Sequence, residues 1–364
     1  MNLSYLAEKF NTQTKCIAHL EKVRWNGTPI CPRCQSDRVT PRALIKSTRG
    51  RKRVKPQQVR TVPLYHCNKC NKDFSVLTKT IFEGSHMELP KWFVLISLMV
   101  NAKKGISANE LKRHLGVSYK TAWFSAMRVR CAMLDQADML EGIIEFDGAY
   151  IGGKPRHRYS GDSEANLSTL VLEKSPRGKG TNKVPVFAMV EREGLKRAVV
   201  KIFNGNPNSG EMLKMLKKYS NTDNITVMTD EGTEFAKIKK VAEHHKVNHS
   251  QKEYVRGSVH TNTIEGFWSM FKNGLRGNYH VLSKKYLPFY LAEYAYKYNL
   301  RNGAKGIGFM QTIENALNDE KCAVKYKPKK SPDVLAFKQK KKKRKNGVET
   351  GCVSNVVSDV ECGK

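Results

Sequence analysis

Apolar residues recur along this chain in two rhythms, and the change of rhythm divides it. From residue 88 to about 135 they return every three or four positions, the period of helices that bury one side, with a break at KKG, 103–105. From residue 143 the apolar runs shorten and fill with β-branched and aromatic residues: IIEFD, VPVFAMVER at 184–192, RAVVKIF at 197–203 and NITVMTD at 224–230. Such runs predict strands. Between and after them the pattern predicts helices near 209–219 and 233–243, and a short strand near 247–250. Two more helices follow. HTNTIEGFWSMFK, 260–272, places Ile264, Phe267, Trp268, Phe271 and then Leu275 on one side. Residues 284–299 place Leu287, Tyr290, Leu291, Tyr294 and Tyr298 on one face, a spacing that assigns these aromatics to the core rather than to a base-stacking platform. Residues 1–24 read as a short helical lead-in, and no internal repeat is present.

Within the helical region, GISANELKRHLGVSYKTAWFSAMRVR, 105–130, has the punctuation of a helix-turn-helix. Ser107 caps a first helix with Glu110 three residues on, Gly116 permits the turn, and Ser118 caps a second helix with Ala122, Trp123 and Met127 inward. Tyr119, Lys120 and Thr121 then open a recognition helix and reach base edges. Any short helical hairpin shares this pattern, so the reading leans on charge.

Lys and Arg number 65 against 33 acidic residues, a formal net charge of +32 over 364 residues, enough chain for two or three domains. That excess makes a polyanion the expected partner, and nucleic acid, double-stranded DNA included, is the commonest kind. Between Arg38 and Tyr65 lie Arg38, Arg42, Lys46, Arg49, Arg51, Lys52, Arg53, Lys55 and Arg60 with no acidic residue. Arg49, Arg51, Lys52 and Arg53 are the expected phosphate contacts, against the alternative of a solvated loop. Residues 154–183 and the run KQKKKKRK at 338–345 read as flexible. A membrane partner is not expected: WFVLISLMV, 92–100, is too short to span a bilayer, and MNLSYLAEKF has no signal pattern. The expected location is the cytoplasm of a bacterium, at the nucleoid.

Nine cysteines are present, and four form two CxxC pairs, CPRC at 31–34 and CNKC at 67–70. Two residues between thiolates let one turn grip a metal, and two such turns complete a tetrahedral site. Cys31, Cys34, Cys67 and Cys70 therefore predict one structural Zn2+ rather than four free thiols, with no open position for catalysis.

Asp147 ends the strand IIEFD, Asp230 ends ITVMTD, and Glu265 opens the aromatic helix. Each has an ordinary explanation alone. An Asp at a strand end is commonly a turn residue, and Asn262 with Glu265 three residues later has the form of a capping box. Together they give an Asp on a first strand, an Asp on a fourth strand and a Glu on a later helix, the order in which a ribonuclease H-like fold assembles three carboxylates. Such a site suits two Mg2+ ions, with Mn2+ able to substitute, because hard cations need oxygen ligands.

DGAYIGGKPR, TDEGTEF and HTNTIEGFWSMFKNGLRGNYH resemble the DDE transposases of zinc-ribbon insertion sequences, a group related to the Merlin elements. CPRC…YHCNKCNKDFSVLTKTIF, LPKWFVLISLMV and GISANELKRHLGVSYKTAW extend the likeness to about residues 25–300. The resemblance implies Asp147, Asp230 and Glu265 as catalytic metal ligands, with Asn262 kept in view because some relatives carry Asn at the third position. It implies that Lys272 contacts DNA phosphate near the scissile bond. It further implies binding to terminal inverted repeats, hydrolysis at the element ends, and joining of the freed 3′-OH to target DNA by at least a dimer. The rivals are a metal-dependent nuclease without strand transfer and a domesticated DNA-binding regulator. The long basic loop and the Lys-rich tail depart from the family pattern. GGK at 152–154 is not a phosphate-binding P-loop, since its spacing is wrong and Pro155 follows.

The expected architecture is multidomain: a helical lead-in, 1–24; a zinc ribbon with a basic loop, 25–85; a helix-turn-helix region, 86–138; an α/β ribonuclease H-like core with a mixed sheet, 139–302; and a flexible basic tail, 303–364.

Overall fold

A computed structural model describes residues 3–42, 62–134, 139–152, 183–248, 251, 253, 255–303 and 306–317. They fall into two units, one drawn from Met1–Leu134 and Leu300–Lys330 and the other from Asp135–Asn299.

The first unit begins with α1 (Leu3–Lys9) and α2 (Gln13–Trp25). Thr12 caps α2 by accepting the Lys15 N–H, and Asn26 ends it in the left-handed conformation. A small antiparallel sheet follows in the order β1 (Val39–Arg42), β2 (Leu64–Cys67), β3 (Lys72–Phe74). The apolar run 92–100 lies in α3 (Leu89–Asn101), where Trp92, Phe93, Leu95, Ile96 and Met99 are buried. Among the described residues no helix is long and apolar enough to cross a membrane. Then come α4 (Ala108–Leu115) and α5 (Tyr119–Ala132). The Ser107 hydroxyl accepts the Glu110 N–H, Gly116 turns the chain at φ +61°, and the Ser118 hydroxyl accepts the Thr121 N–H. These are the caps and the turn that the sequence predicts.

The second unit is built on a five-stranded mixed sheet. Its strands are β4 (Leu140–Ile151), β5 (Val184–Glu191), β6 (Ala198–Ile202), β7 (Ser220–Thr229) and β8 (Glu243–Lys246), in the order β6-β5-β4-β7-β8. β4, β5 and β6 pair antiparallel; β7 and β8 join parallel to β4. Side chains alternate along a strand, so β4 sends Ile144 and Phe146 to one face and Glu145 and Asp147 to the other. Ile144 and Phe146 enter a core with Phe187, Met189 and Val199 and with Met212, Met215 and Leu216 of α6 (Ser209–Tyr219). A capping box at Asn208 and Glu211 starts α6.

The face of β4 that bears Glu145 and Asp147 is met by α7 (Asn262–Gly274), which follows a two-stranded hairpin of β9 (Val255–Arg256) and β10 (Val259–His260). Ile264, Phe267, Trp268 and Phe271 are buried, as their spacing predicts. Phe267 meets Tyr298 edge-on at 5.3 Å and Phe271 meets Tyr294 at 5.1 Å, both on α8 (Leu287–Asn299), so the α8 tyrosines are core. Past Gly274 the helix widens into a π turn, Leu275–Tyr279.

Three expectations change. The predicted helix at 233–243 is two single 3-10 turns, Thr233–Phe235 and Ile238–Lys240; Phe235 and Ile238 enter the core and Val241 and Ala242 pack against it, so the apolar spacing is helical but separate turns deliver it. The short strand is Glu243–Lys246 rather than 247–250; EHHK is a polar edge strand, so apolar content does not mark it. Residues 307–317, placed with the flexible tail, form α9 (Ile307–Leu317), which returns to the first unit. Phe309 packs edge-on against Phe93 at 5.7 Å, and the Ala316 carbonyl accepts the Ile81 N–H. The runs 154–182 and 338–345 lie outside the described residues.

Candidate active site and metal sites

β4 and β7 run parallel, and Phe146↔Thr229 is their last paired register. Asp147 and Asp230 are each the next residue, so the two carboxylates stand side by side, with strand spacing of about 4.8 Å between their backbones. Asp147 does not end its strand as the sequence suggests: β4 runs on to Ile151, paired with β5, and only its pairing with β7 stops at Phe146. Asp230 begins a tight turn in which its Oδ1 accepts the Gly232 N–H at 3.0 Å. Asp147 Oδ1 accepts the Gly148 N–H at 2.7 Å. Gly148 cannot be larger: a Cβ there would lie 2.6 Å from the Phe187 ring.

Glu265 reaches the same place from α7. Thr261 is the residue before the helix, and its hydroxyl donates to Glu265 Oε1 at 3.3 Å. The capping box expected of Asn262 and Glu265 is absent. Asn262 is instead the first helical residue, exposed, and makes no side-chain cap. The Glu265 N–H that such a box would satisfy goes to the Thr261 carbonyl at 3.1 Å, and the Ile264 N–H goes to Glu145 Oε2 on β4, at 2.9 Å.

The charges register one another. Burial first, and then the Asp230 carboxylate, push Asp147 from its ordinary 3.8 up to about 7; the Gly148 N–H and Lys272 pull it back, and Glu265 adds a further push upward. Three acidic groups and one lysine from β4, β7 and α7 therefore share one field. Lys272 is exposed, two helical turns after Glu265 on the same face. Among the described residues the carboxylates do not draw within 4.8 Å of one another as a set of three, the approach that the cysteine cluster makes. Divalent cations would offset the mutual repulsion of such a set.

In the first unit the ligand atoms of Cys31, Cys34, Cys67 and Cys70 all lie within 4.8 Å of one another. Sγ of Cys31 is 3.7 Å from that of Cys70, and Sγ of Cys34 is 3.5 Å from that of Cys67. A tetrahedral zinc with bonds of about 2.3 Å holds its sulfurs about 3.8 Å apart, so the cluster fits the ion closely. Both knuckles have one construction. Gln35 and Asn71, each following the second cysteine of its pair, adopt positive φ of 58° and 52° and donate N–H to the carbonyls of Cys31 and Cys67. Within the cluster the Cys70 N–H, the Cys34 thiol and the Lys69 N–H bring Cys67 down to about 6 against the burial that would raise it, while burial first raises Cys34 and pushes Cys70 up to about 12.

At the start of α5, Tyr119 is half exposed and Lys120 is exposed. Lys120 lines a groove of about 950 Å³ together with Lys91, Thr121 and Arg128. Arg49, Arg51, Lys52 and Arg53 lie outside the described residues. Beside the site, Glu145 on the Asp147 face of β4 pairs with Arg192, a contact the sequence reading passed over; the signal available was a second acid two positions before Asp147, on the same strand face.

Residues 139–299 match the ISXO2-like transposase domain, and residues 11–73 match the transposase zinc-ribbon domain. Over 287 residues, 77% of this chain and 89% of the relative, the sequence is 26% identical to an uncharacterized protein in transposable element ISH50 of Halobacterium salinarum.

Proposed function

Because the chain belongs to the zinc-ribbon insertion-sequence transposases, we propose that it cuts DNA at the ends of a mobile element and joins the freed 3′-OH to target DNA. The observation that carries this reading is the adjacency of Asp147 and Asp230 across parallel strands, with the charge of Glu265 acting on the same site. The mixed sheet supports it: β4, the first strand of this unit, carries Asp147, and β7, its fourth, leads into Asp230, as a ribonuclease H-like core would require.

Asp147, Asp230 and Glu265 would hold two Mg2+ ions. Bound there, the ions supply charge that activates the attacking oxygen and stabilises the leaving one. The chain's own residues set up the rest. Lys272, on the Glu265 face of α7, holds a phosphate of the cleaved strand. Tyr119 and Lys120 enter the major groove from α5 of a helix-turn-helix and read the inverted repeat. Arg49, Arg51, Lys52 and Arg53, which lie between the two cysteine pairs in the sequence, grip the backbone. Hydrolysis breaks one phosphodiester bond; the following transesterification exchanges one such bond for another, so no nucleotide cofactor is required. Joining two ends requires them to be held together, which calls for at least a dimer.

The test is cleavage of a labelled repeat end by purified protein and by Asp147→Ala, Asp230→Ala and Glu265→Ala. Loss of cutting with end binding retained supports the reading. Equal cutting by the variants removes it.

A further inference from the structure

Glu145 is a buried carboxylate that the proposed cutting chemistry does not use. Its side chain is 0% exposed, on the face of β4 that also carries Asp147 two residues on. A buried charge persists only when paired and fully hydrogen-bonded. Glu145 meets that condition with groups from three other segments. Arg192, just past β5, donates from Nε to Glu145 Oε1 at 2.9 Å. The same guanidinium donates to the Ser258 carbonyl at 2.7 Å and to the His260 carbonyl at 2.8 Å, holding the hairpin that leads into α7. His260 Nδ1 lies 3.5 Å from Glu145 Oε1. The remaining oxygen, Oε2, accepts the Ile264 N–H.

Ile264 is in the first turn of α7, where N–H groups have no partner within the helix and a preceding side chain ordinarily takes one. Thr261 does not make that bond. A strand residue 119 positions earlier makes it instead, and its negative charge suits the positive end of the helix.

We propose that Glu145, with Arg192 as its counter-ion, is a positioning residue that fixes the separation of Asp147 and Glu265 for divalent cations. The proposal rests on the carboxylate-site reading above. The link between the two ligands is short. From Asp147 it runs two residues back along β4 to Glu145, across one hydrogen bond to Ile264, and one residue on to Glu265. Glu145 itself touches neither the cations nor the DNA; it acts through the helix it caps.

Binding of Mn2+ to the zinc-loaded full-length protein, measured by electron paramagnetic resonance without DNA, tests this apart from activity. Glu145→Gln keeps the size and one acceptor but loses the charge that holds Arg192. Its Mn2+ affinity should fall about tenfold, the effect typical of residues that orient metal ligands. Arg192→Lys keeps a cation beside Glu145 but cannot also reach both hairpin carbonyls, and it should weaken Mn2+ several-fold while melting close to the parent. A purely structural role would lower the melting temperature and leave the Mn2+ affinity of the folded protein unchanged. Asp147→Ala is the control and should lose Mn2+ binding. Parental affinity in folded Glu145→Gln and Arg192→Lys, with Asp147→Ala defective, would overturn the positioning role and leave the carboxylate site standing. Parental affinity in Asp147→Ala would overturn both. Should Glu145→Gln not fold, Arg192→Lys decides.

Discussion

Asp147 and Asp230 stand side by side on parallel strands, each one residue past the paired register Phe146↔Thr229. Two like charges so placed need either a proton or a cation between them. The partly buried Asp147 takes up the strain, and its carboxyl is pushed up to about 7.

That strain has a sign. Asp147 is ordinarily half ionised near 3.8 and in the fold near 7, so between those values the native state holds the proton more tightly than the unfolded chain. Its ionisation therefore costs stability as pH rises through that window, and the cost is complete above it. Asp147→Asn should melt like the parent near pH 4. At pH 8, without added divalent cation, it should be more stable by roughly 1–3 kcal/mol. Thermal melts at both pH values check this, and a destabilised Asp147→Asn at pH 8 would contradict it. Added Mg2+ should stabilise the parent at pH 8 more than at pH 5, because proton and cation compete for one carboxylate.

The triad variants should separate chemistry from binding. Asp147→Ala, Asp230→Ala and Glu265→Ala each remove a proposed metal ligand without touching the basic surface, so cleavage should fall more than about a hundredfold while end affinity stays near parental. Gel-shift and cleavage assays on the same DNA report both. Near-normal cleavage by Glu265→Ala would move the third ligand to Asn262, which is exposed in the same helical turn.

Much of this site is legible in the sequence because its signals are local. The apolar stripe Ile264, Phe267, Trp268, Phe271 predicts α7 and its buried face. Two CxxC pairs predict the sulfur cluster, and Ser107, Gly116 and Ser118 mark the ends of α4 and α5. The cap of α7 is not legible, since a strand residue far back in the chain supplies it while Asn262, the local candidate, takes no part. Residues 233–243 mislead for a related reason: Phe235, Ile238, Val241 and Ala242 keep a helical spacing in the sequence, yet the core takes them from two separate 3-10 turns. Helix α9 escapes notice because it borders a charged tail, and Phe93, which gives it a partner, lies more than two hundred positions earlier.

Zinc should be inseparable from the fold of the N-terminal module. Cys31→Ser or Cys67→Ser should release the ion, unfold the module and weaken DNA binding, since binding and folding are one equilibrium there. Metal analysis alongside circular dichroism measures both. A zinc-free protein that still prefers repeat DNA would refute this.

The basic residues should divide their labour. Lys120→Ala, at the start of α5, should cost about 1–3 kcal/mol on the inverted repeat and narrow its advantage over random DNA. Arg51→Ala should weaken both DNAs alike and lower the salt slope by about 1. Affinities for the two DNAs across a salt series distinguish them. The reverse pattern would make the loop between the cysteine pairs the reader.

The most direct test of a DNA-joining role is a strand-transfer assay with a labelled, pre-cut repeat end, supercoiled target DNA and Mg2+. Labelled end covalently joined to target, formed by the parent and absent with Asp147→Ala, is the predicted result. Cut ends that never join would identify a nuclease, and repeat binding with neither cutting nor joining would identify a regulator; either would contradict the account.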